Sequence, residues 1–179
     1  MLLFCHGEKR CNLLKSTHMK QVALIIALTF SLSLHAQTEV KKVYDETINP
    51  LQQIDYAVAK ADSEGKRVIC QVGGNWCPWC LRLADFLSRD ETLRRIIDDN
   101  YVYIHVNYRP GAPSDAAKAA QDSTMLARLG DPSHYGYPVL VVLDQQGRVL
   151  YIQETGCLEK EKSYDRDKLL QFFRRWRRR

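Results

Sequence analysis

The chain has 179 residues, of which 45% are hydrophobic and 26% are charged, with a formal net charge of +5. A chain of this length and composition can bury one real core, which excludes wholesale disorder and leaves hardly enough residues for two domains. Much of the positive charge lies in the first 36 residues, and the rest of the chain carries only +2. This balance excludes a nucleic-acid-binding protein that relies on a basic surface.

Residues 19–36 have the pattern of a secretory signal peptide. Lys20 supplies the positive start, residues 22–34 form the apolar segment, and a small residue suited to cleavage follows. We therefore predict that residues 1–36 are a leader and signal peptide, with Met19 as the true start, and that the protein is exported to the periplasm or secreted. The alternative is an uncleaved N-terminal membrane anchor, although the apolar segment is shorter than the about 20 residues of a spanning helix.

The polar stretch after the signal, residues 37–48, predicts a flexible lead-in with a short strand near residues 40–43. At Asn49 the pattern becomes that of a helix start, because asparagine caps free amide groups and the proline that follows suits the first helical position. Apolar residues then recur at helical spacing as far as Gly65, a typical helix end. We place the folded domain at residues 49–179.

A motif with two cysteines follows a predicted central strand. The strand is the apolar run at residues 68–72, and it leads into the sequence GGNWCPWC at residues 73–80, after which a helical pattern continues to about residue 88. A cysteine at a helix start loses its proton more easily, because the free N–H groups and the helix dipole stabilise an anion. Cys77 would lie at that start, and Cys80 could resolve a mixed disulfide. This cysteine pair therefore predicts thiol–disulfide exchange.

The remaining pattern predicts an α/β fold. In chain order it gives a helix capped by Asp90, a strand at 101–107, an alanine-rich helix to residue 129, a β-hairpin at 139–153 and a last helix at 164–176. The first strand, the helix after the cysteine pair and the strand at 101–107 form a βαβ unit, which implies parallel pairing.

Three separated features together resemble the thioredoxin superfamily, and most of all its exported bacterial members. They are Trp-Cys-Pro-Trp-Cys at residues 76–80, Tyr137-Pro138 before the hairpin, and Gly156 after it. The resemblance covers about residues 40–176. It implies the thioredoxin fold, in which a central mixed β-sheet, built as βαβ and then ββα, is flanked by helices.

The resemblance also implies a role for each site residue. Cys77 would be the attacking thiol, Cys80 the resolving thiol, and Pro138 the family's cis-proline beside the pair. It implies a surface that supports the pair or contacts substrate polypeptides, made of Trp76, Pro78, Trp79, Tyr137, Pro138, Gly156 and Cys157. Cys157 would then bring a third thiol within reach of the pair; the alternative is a free structural cysteine.

The sequence departs from thioredoxin in two places. Gln71 replaces a buried aspartate that assists proton transfer to the resolving cysteine, and glutamine cannot ionise. Pro78 and Trp79 replace a Gly-Pro pair, and a leading proline is more like glutaredoxins and some disulfide oxidases. Because residues between the cysteines tune the redox potential, the direction of electron flow stays open here, and only the resemblance favours a reductase or isomerase over an oxidase.

Other cysteines and histidines receive simpler predictions. Cys70 lies in the apolar strand and is predicted to be a small buried hydrophobe. His105 is predicted to be structural, whereas His134 is either a loop residue or one that faces the site. A zinc site with four protein ligands would need two more ligands, and the chain has neither a second CxxC nor an HxxxH pattern. We therefore predict no metal and no other cofactor.

These observations predict an exported thiol–disulfide oxidoreductase with a redox-active Cys77–Cys80 pair. Its partners would be proteins that carry disulfides or thiols, together with an external electron donor or acceptor such as a membrane thiol relay, and no nucleic acid. Two alternatives remain: a non-catalytic binding module that presents the aromatic and Tyr137-Pro138 surface, and a metal-delivery protein that uses the CxxC.

Overall fold

Five α-helices and six β-strands form in the residues that the computed structural model describes, which are 42–111 and 113–178. The helices are α1 (Pro50–Glu64), α2 (Pro78–Arg89), α3 (Glu91–Asn100), α4 (Ala116–Arg128) and α5 (Arg166–Trp176). The strands are β1 (Arg67–Gly73), β2 (Tyr101–Asn107), β3 (Val139–Leu143), β4 (Val149–Glu154), β5 (Glu159–Lys160) and β6 (Ser163–Tyr164). The predicted leader, residues 1–36, lies outside the described residues.

The central sheet has the order β2-β1-β3-β4 and is mixed. β1 pairs in parallel with β2 and antiparallel with β3, which in turn pairs antiparallel with β4. The predicted α/β class and the thioredoxin fold, βαβ followed by ββα, are thus confirmed. β5 and β6 form a separate two-stranded hairpin that the sequence did not predict, because strands of two residues show no periodicity.

Helices cover both faces of the sheet, which explains the unbroken apolar run of β1. Ile69 faces a core formed with α2, α3 and α5, whereas Val68 and Cys70 face a second core formed with α1 and α4. Cys70 is fully buried, and burial raises its pKa to about 12. The prediction that Cys70 is a small buried hydrophobe is confirmed.

Helix boundaries follow the capping residues. The Asn49 side chain accepts hydrogen bonds from the N–H groups of Leu51 and Gln52, and α1 ends where Gly65 takes a φ of 67°. The last helix begins at Arg166, later than predicted, because Asp165 is its capping residue and Tyr164 belongs to β6. Within residues 42–111 and 113–178, no helix combines the length and apolar character needed to cross a membrane.

The predicted lead-in is partly a folded segment. Lys42 and Val43, the described residues of the predicted short strand, form no strand. Tyr44 is only 3% exposed and packs beside the cysteine pair, so the lead-in is fixed at this point rather than flexible.

Candidate active site

The cysteine pair lies where β1 passes into α2. β1 ends at Gly73, and Cys77 is the residue that caps α2, with extended backbone angles of φ −102° and ψ 109°. Its sulfur accepts a hydrogen bond from the Cys80 N–H at 3.3 Å. Pro78 is the first helical residue, a position where the missing N–H costs nothing. The helix start therefore points its free amide groups at the Cys77 sulfur, as the sequence predicts.

The two thiols differ strongly in acidity. A hydrogen bond from the Cys80 thiol, supported by the N–H groups of Cys80 and Trp79, lowers the pKa of Cys77 to about 7. The same hydrogen bond and burial raise the pKa of Cys80, which is fully buried, whereas Cys77 is 5% exposed. At neutral pH Cys77 is thus partly a thiolate and Cys80 stays a thiol. This is the asymmetry needed for an attacking and a resolving cysteine.

The peptide bond between Tyr137 and Pro138 lies beside the Cys77 sulfur. The Tyr137–Pro138 peptide bond is cis, which is what the resemblance implies. The Cys77 sulfur is 3.6 Å from the Tyr137 carbonyl oxygen. Thr155 is buried and donates a hydrogen bond from its hydroxyl to the Pro138 carbonyl, which ties the end of β4 to this loop. Sequence reasoning missed Thr155, because a threonine next to Gly156 carries no signal of its own.

The two tryptophans of the motif have different surroundings. Trp76 is 38% exposed, and its Nε1 donates to the Tyr108 carbonyl at 3.0 Å while its ring meets the Tyr137 ring edge-on at 5.6 Å. Trp79 is half-buried, and its ring meets Tyr164 edge-on at 5.7 Å. Trp76 and Tyr137 therefore form the aromatic surface next to Cys77, whereas Trp79 packs largely toward the core.

Cys157 lines a cavity beside α5 rather than contacting the cysteine pair. Gly156 begins a short 3₁₀ turn after β4, and the Cys157 sulfur accepts a hydrogen bond from Gln153 Nε2 at 2.9 Å. Lys168 Nζ donates to the Cys157 carbonyl at 2.8 Å. The cavity here, of about 320 Å³, is lined by Tyr151, Gln153, Cys157, Leu158, Lys168, Gln171, Phe172, Arg175 and Trp176. In the described part of the chain, the contacts of Cys157 include neither thiol of the pair.

A buried polar cluster lies behind Cys80 instead. Gln71 is fully buried; its Nε2 donates to the Tyr44 hydroxyl oxygen at 2.6 Å and to the Cys80 carbonyl at 3.0 Å. Its Oε1 accepts from the Tyr103 hydroxyl at 2.6 Å. The Tyr44 side chain also packs against Cys80, and its hydroxyl lowers the pKa of the Cys80 thiol. Gln71 was noticeable as the one polar residue of an apolar strand, whereas nothing in the sequence pointed to Tyr44.

The two histidines examined from the sequence do not contact the sulfurs in the described structure. His105 packs edge-on against Tyr44 and Tyr103, and burial lowers its pKa to about 4, so it is neutral at neutral pH. His134 is exposed, and its ring lies 4.1 Å from that of Tyr135. Among residues 42–111 and 113–178, no group of three or more His, Cys, Asp or Glu residues could hold a metal ion.

Comparison with known proteins agrees with this geometry. A family model described as thioredoxin-like matches residues 49–145. The chain belongs to the thioredoxin-like family. The match confirms the resemblance drawn from the cysteine motif, the proline before the hairpin and the glycine after it. A search of curated proteins found no significant match.

Three solved structures match this chain at low sequence identity, and one of them, with a TM-score above 0.5, shows the same fold. The chain is similar to the disulphide isomerase from Xylella fastidiosa Temecula1, with a TM-score of 0.61 and 23% identity, over 74% of this chain and 94% of that one. It also matches a DsbH oxidoreductase, with a TM-score of 0.47 and 15% identity over 65% of this chain and 76% of that one. A thioredoxin from Thermus thermophilus matches with a TM-score of 0.47 and 19% identity, over 68% and 81% respectively.

Proposed function

We propose that this protein is a thiol–disulfide oxidoreductase that acts on protein thiols and disulfides. The observation that carries the proposal is the asymmetry of the pair: Cys77 has a lowered pKa at the start of α2, and Cys80 is a buried thiol one helical turn away. The carbonyl of Tyr137 next to the Cys77 sulfur supports a polypeptide substrate, because a neighbouring extended chain is held by backbone hydrogen bonds.

The reaction needs only the two sulfurs. The Cys77 thiolate attacks one sulfur of a substrate disulfide, the substrate S–S bond breaks, and the other substrate sulfur leaves as a thiolate that takes up a proton. Cys80 then attacks the Cys77 sulfur of the mixed disulfide, the Cys77–Cys80 disulfide forms, and the second substrate thiol is released. Two electrons pass from the pair to the substrate, and the reverse sequence oxidises a substrate dithiol.

The acidity of Cys77 supports a reductase or isomerase over an oxidase. Strongly oxidising pairs stabilise the thiolate of the attacking cysteine far more, with a pKa of about 3.5, whereas reducing members of this fold have a value of about 7. The pKa of Cys77 is also about 7. The thiolate therefore stabilises the reduced form of the pair only a little, and the reduced pair gives up its electrons more readily.

Trapping of mixed disulfides tests this function. A Cys80→Ser variant should form covalent adducts with partner proteins through Cys77, because serine cannot resolve them, and these adducts should be visible on non-reducing gels and disappear with dithiothreitol. The matched control is Cys77→Ser/Cys80→Ser, which keeps the other four cysteines and should trap nothing. Undiminished biological activity of the double variant would instead indicate a binding module.

We also propose that the protein works outside the cytoplasm, supported by the signal-peptide pattern of residues 19–36. An oxidising compartment would hold the pair as a disulfide, so a reductase there needs an external electron donor, such as a membrane thiol relay. Expression of the full chain in a bacterium should yield a periplasmic or secreted product that begins at Gln37, as measured by intact mass. A membrane-bound product that retains residues 19–36 would indicate an anchor.

A further inference from the structure

The amide of Gln71 has only one orientation that satisfies its neighbours. The Cys80 carbonyl can only accept a hydrogen bond, so Nε2 rather than Oε1 must face it at 3.0 Å. Oε1 then faces the Tyr103 hydroxyl, which donates to it at 2.6 Å. Because Gln71 is fully buried, water does not compete for these groups.

This orientation determines where the Tyr44 proton points. Gln71 Nε2 donates to the Tyr44 oxygen at 2.6 Å, so the hydroxyl hydrogen of Tyr44 is free to be donated elsewhere, and the Cys80 side chain packs beside it. Gly73 shows independently that the two groups are adjacent. A methyl group added at Gly73 would lie 2.4 Å from the Cys80 sulfur and 3.0 Å from the Tyr44 oxygen. The hydrogen bonds thus run in one direction, from Tyr103 through Gln71 to Tyr44, and leave the Tyr44 hydroxyl hydrogen available to the adjacent Cys80 sulfur.

Asn75, inside the cysteine motif, holds Tyr44 in place. Its Oδ1 accepts from the N–H groups of Val43 and Tyr44, each at 3.1 Å, and its Nδ2 donates to the Tyr44 carbonyl at 2.8 Å. These contacts join residues 31 and 32 positions apart in the chain. The lead-in is therefore attached to the active-site loop by the same motif that carries the cysteines.

We propose that Tyr44 donates a hydrogen bond that stabilises the Cys80 thiolate when Cys80 resolves a mixed disulfide, and that Gln71 and Tyr103 are positioning residues that aim it. The proposal rests on the proposed function. In the resolving step the S–S bond between Cys77 and the substrate breaks, the bond between Cys77 and Cys80 forms, and the proton of the Cys80 thiol leaves with the substrate sulfur. Tyr44 keeps its own proton throughout.

The groups around Cys80 suit a neutral donor. Those that shift the pKa of Cys80 are the Cys77 sulfur, the Gly74 N–H and the Tyr44 hydroxyl, and none of these described groups is a carboxylate. The other titratable groups packed nearby are Tyr103 and His105 on β2, Tyr137 before β3 and Tyr164 on β6. Burial raises the pKa of Tyr44 and of these three tyrosines, and keeps His105 neutral, so the donors stay protonated at every pH at which the enzyme would work.

The test uses the full chain with Cys5, Cys11 and Cys157 each changed to serine, reduced and mixed with 5,5′-dithiobis(2-nitrobenzoate). Attack by Cys77 releases one thionitrobenzoate in a first phase, and resolution by Cys80 releases a second. Tyr44→Phe should leave the first phase within about twofold and slow the second about tenfold, the effect of losing a hydrogen bond to a charged group. The second phase of Tyr44→Phe should also need a higher pH to reach half its maximal rate.

Two further variants separate this role from a structural one. Tyr101→Phe is the matched control, because Tyr101 is also 3% exposed and its buried hydroxyl donates to a backbone carbonyl, that of Phe173. It should change neither the rate nor the pH profile of the second phase. Gln71→Leu should slow the second phase as Tyr44→Phe does, and the double variant should be no slower, since all three break one chain of hydrogen bonds.

The outcomes distinguish the two proposals. A parent protein with no first phase would overturn the proposed function. A normal first phase with an unchanged second phase in both Tyr44→Phe and Gln71→Leu would overturn only the role of Tyr44. Equal slowing by Tyr101→Phe, or slowing without a shift of the pH profile, would also overturn it, because a general loss of packing would then explain the result.

Discussion

The reaction of Cys77 with iodoacetamide should follow an apparent pKa of about 7. The Cys80→Ala substitution should raise this pKa toward that of an ordinary cysteine, about 8.5. The reason is that the largest influence lowering the pKa of Cys77 is the hydrogen bond from the Cys80 thiol, which alanine cannot donate. A lowered pKa means that reactivity is retained at pH 7 and lost as the pH falls below it. At pH 7 the variant should therefore react about tenfold more slowly, because the thiolate fraction falls from about a half to a few per cent.

Cys80→Ser is the matched control for this experiment, because a serine hydroxyl can still donate to the Cys77 sulfur. It should keep most of the lowered pKa while lacking a resolving thiol. The rates are measured by mass spectrometry across pH 5 to 10 in a Cys157→Ser background, which removes the exposed third thiol. If Cys80→Ala retained a midpoint near pH 7, the amide groups at the start of α2, rather than Cys80, would be the source of the acidity.

Local chemistry made much of the fold and part of the site predictable. Asn49 and Gly65 mark the ends of α1 through capping and a left-handed backbone, and both act within a few residues of the chain. The position of Cys77 at the start of α2 followed from a strand, a turn and a helical pattern in direct succession. The mixed sheet then followed from the order of elements.

The unpredicted parts depend on contacts between distant residues. Tyr44 lies in a polar stretch without periodicity, and its contacts with Asn75 and Gln71, 31 and 27 positions away, bring it behind Cys80. Cys157 was either a third thiol near the pair or a free structural cysteine, and the 3₁₀ turn after Gly156 directs it to Gln153 and α5. Neither the docking of the lead-in nor the direction of that turn can be derived from local residue preferences.

The cluster behind Cys80 also explains how glutamine can stand at position 71. A carboxylate there would only accept hydrogen bonds, and it would face the Cys80 carbonyl, which also only accepts. Glutamine presents an N–H to that carbonyl and to Tyr44, and a carbonyl oxygen to Tyr103. The support for Cys80 is therefore a chain of neutral groups, and burial without a charge costs less free energy than burial of an unpaired carboxylate.

Gly73→Ala should be the most damaging substitution near the pair that adds a single methyl group. Gly73 needs no special backbone angle, so the expected effect comes from space alone. The added methyl would lie 2.4 Å from the Cys80 sulfur, a distance that real side chains essentially never show, and 3.0 Å from the Tyr44 oxygen, which is tighter than most real contacts. Because Gly73 pairs with Asn107 of β2 and the preceding Val72 is paired on both sides, the backbone cannot easily shift to make room. We expect a loss of about 1–3 kcal/mol in the free energy of unfolding, measured by urea denaturation.

Gly74→Ala is the natural comparison, because the clash there is as short but the obstacle differs. Its methyl would meet Trp76 Nε1 at 2.4 Å, at the far end of a side chain that is 38% exposed and can move. Gly74→Ala should therefore cost less stability and leave the Cys80 phase of the thionitrobenzoate assay largely intact. Gly73→Ala should slow that phase even where the protein remains folded, because Cys80 and Tyr44 are the groups that must move apart. Equal stability and equal rates in the two variants would show that the space behind Cys80 is not tightly packed.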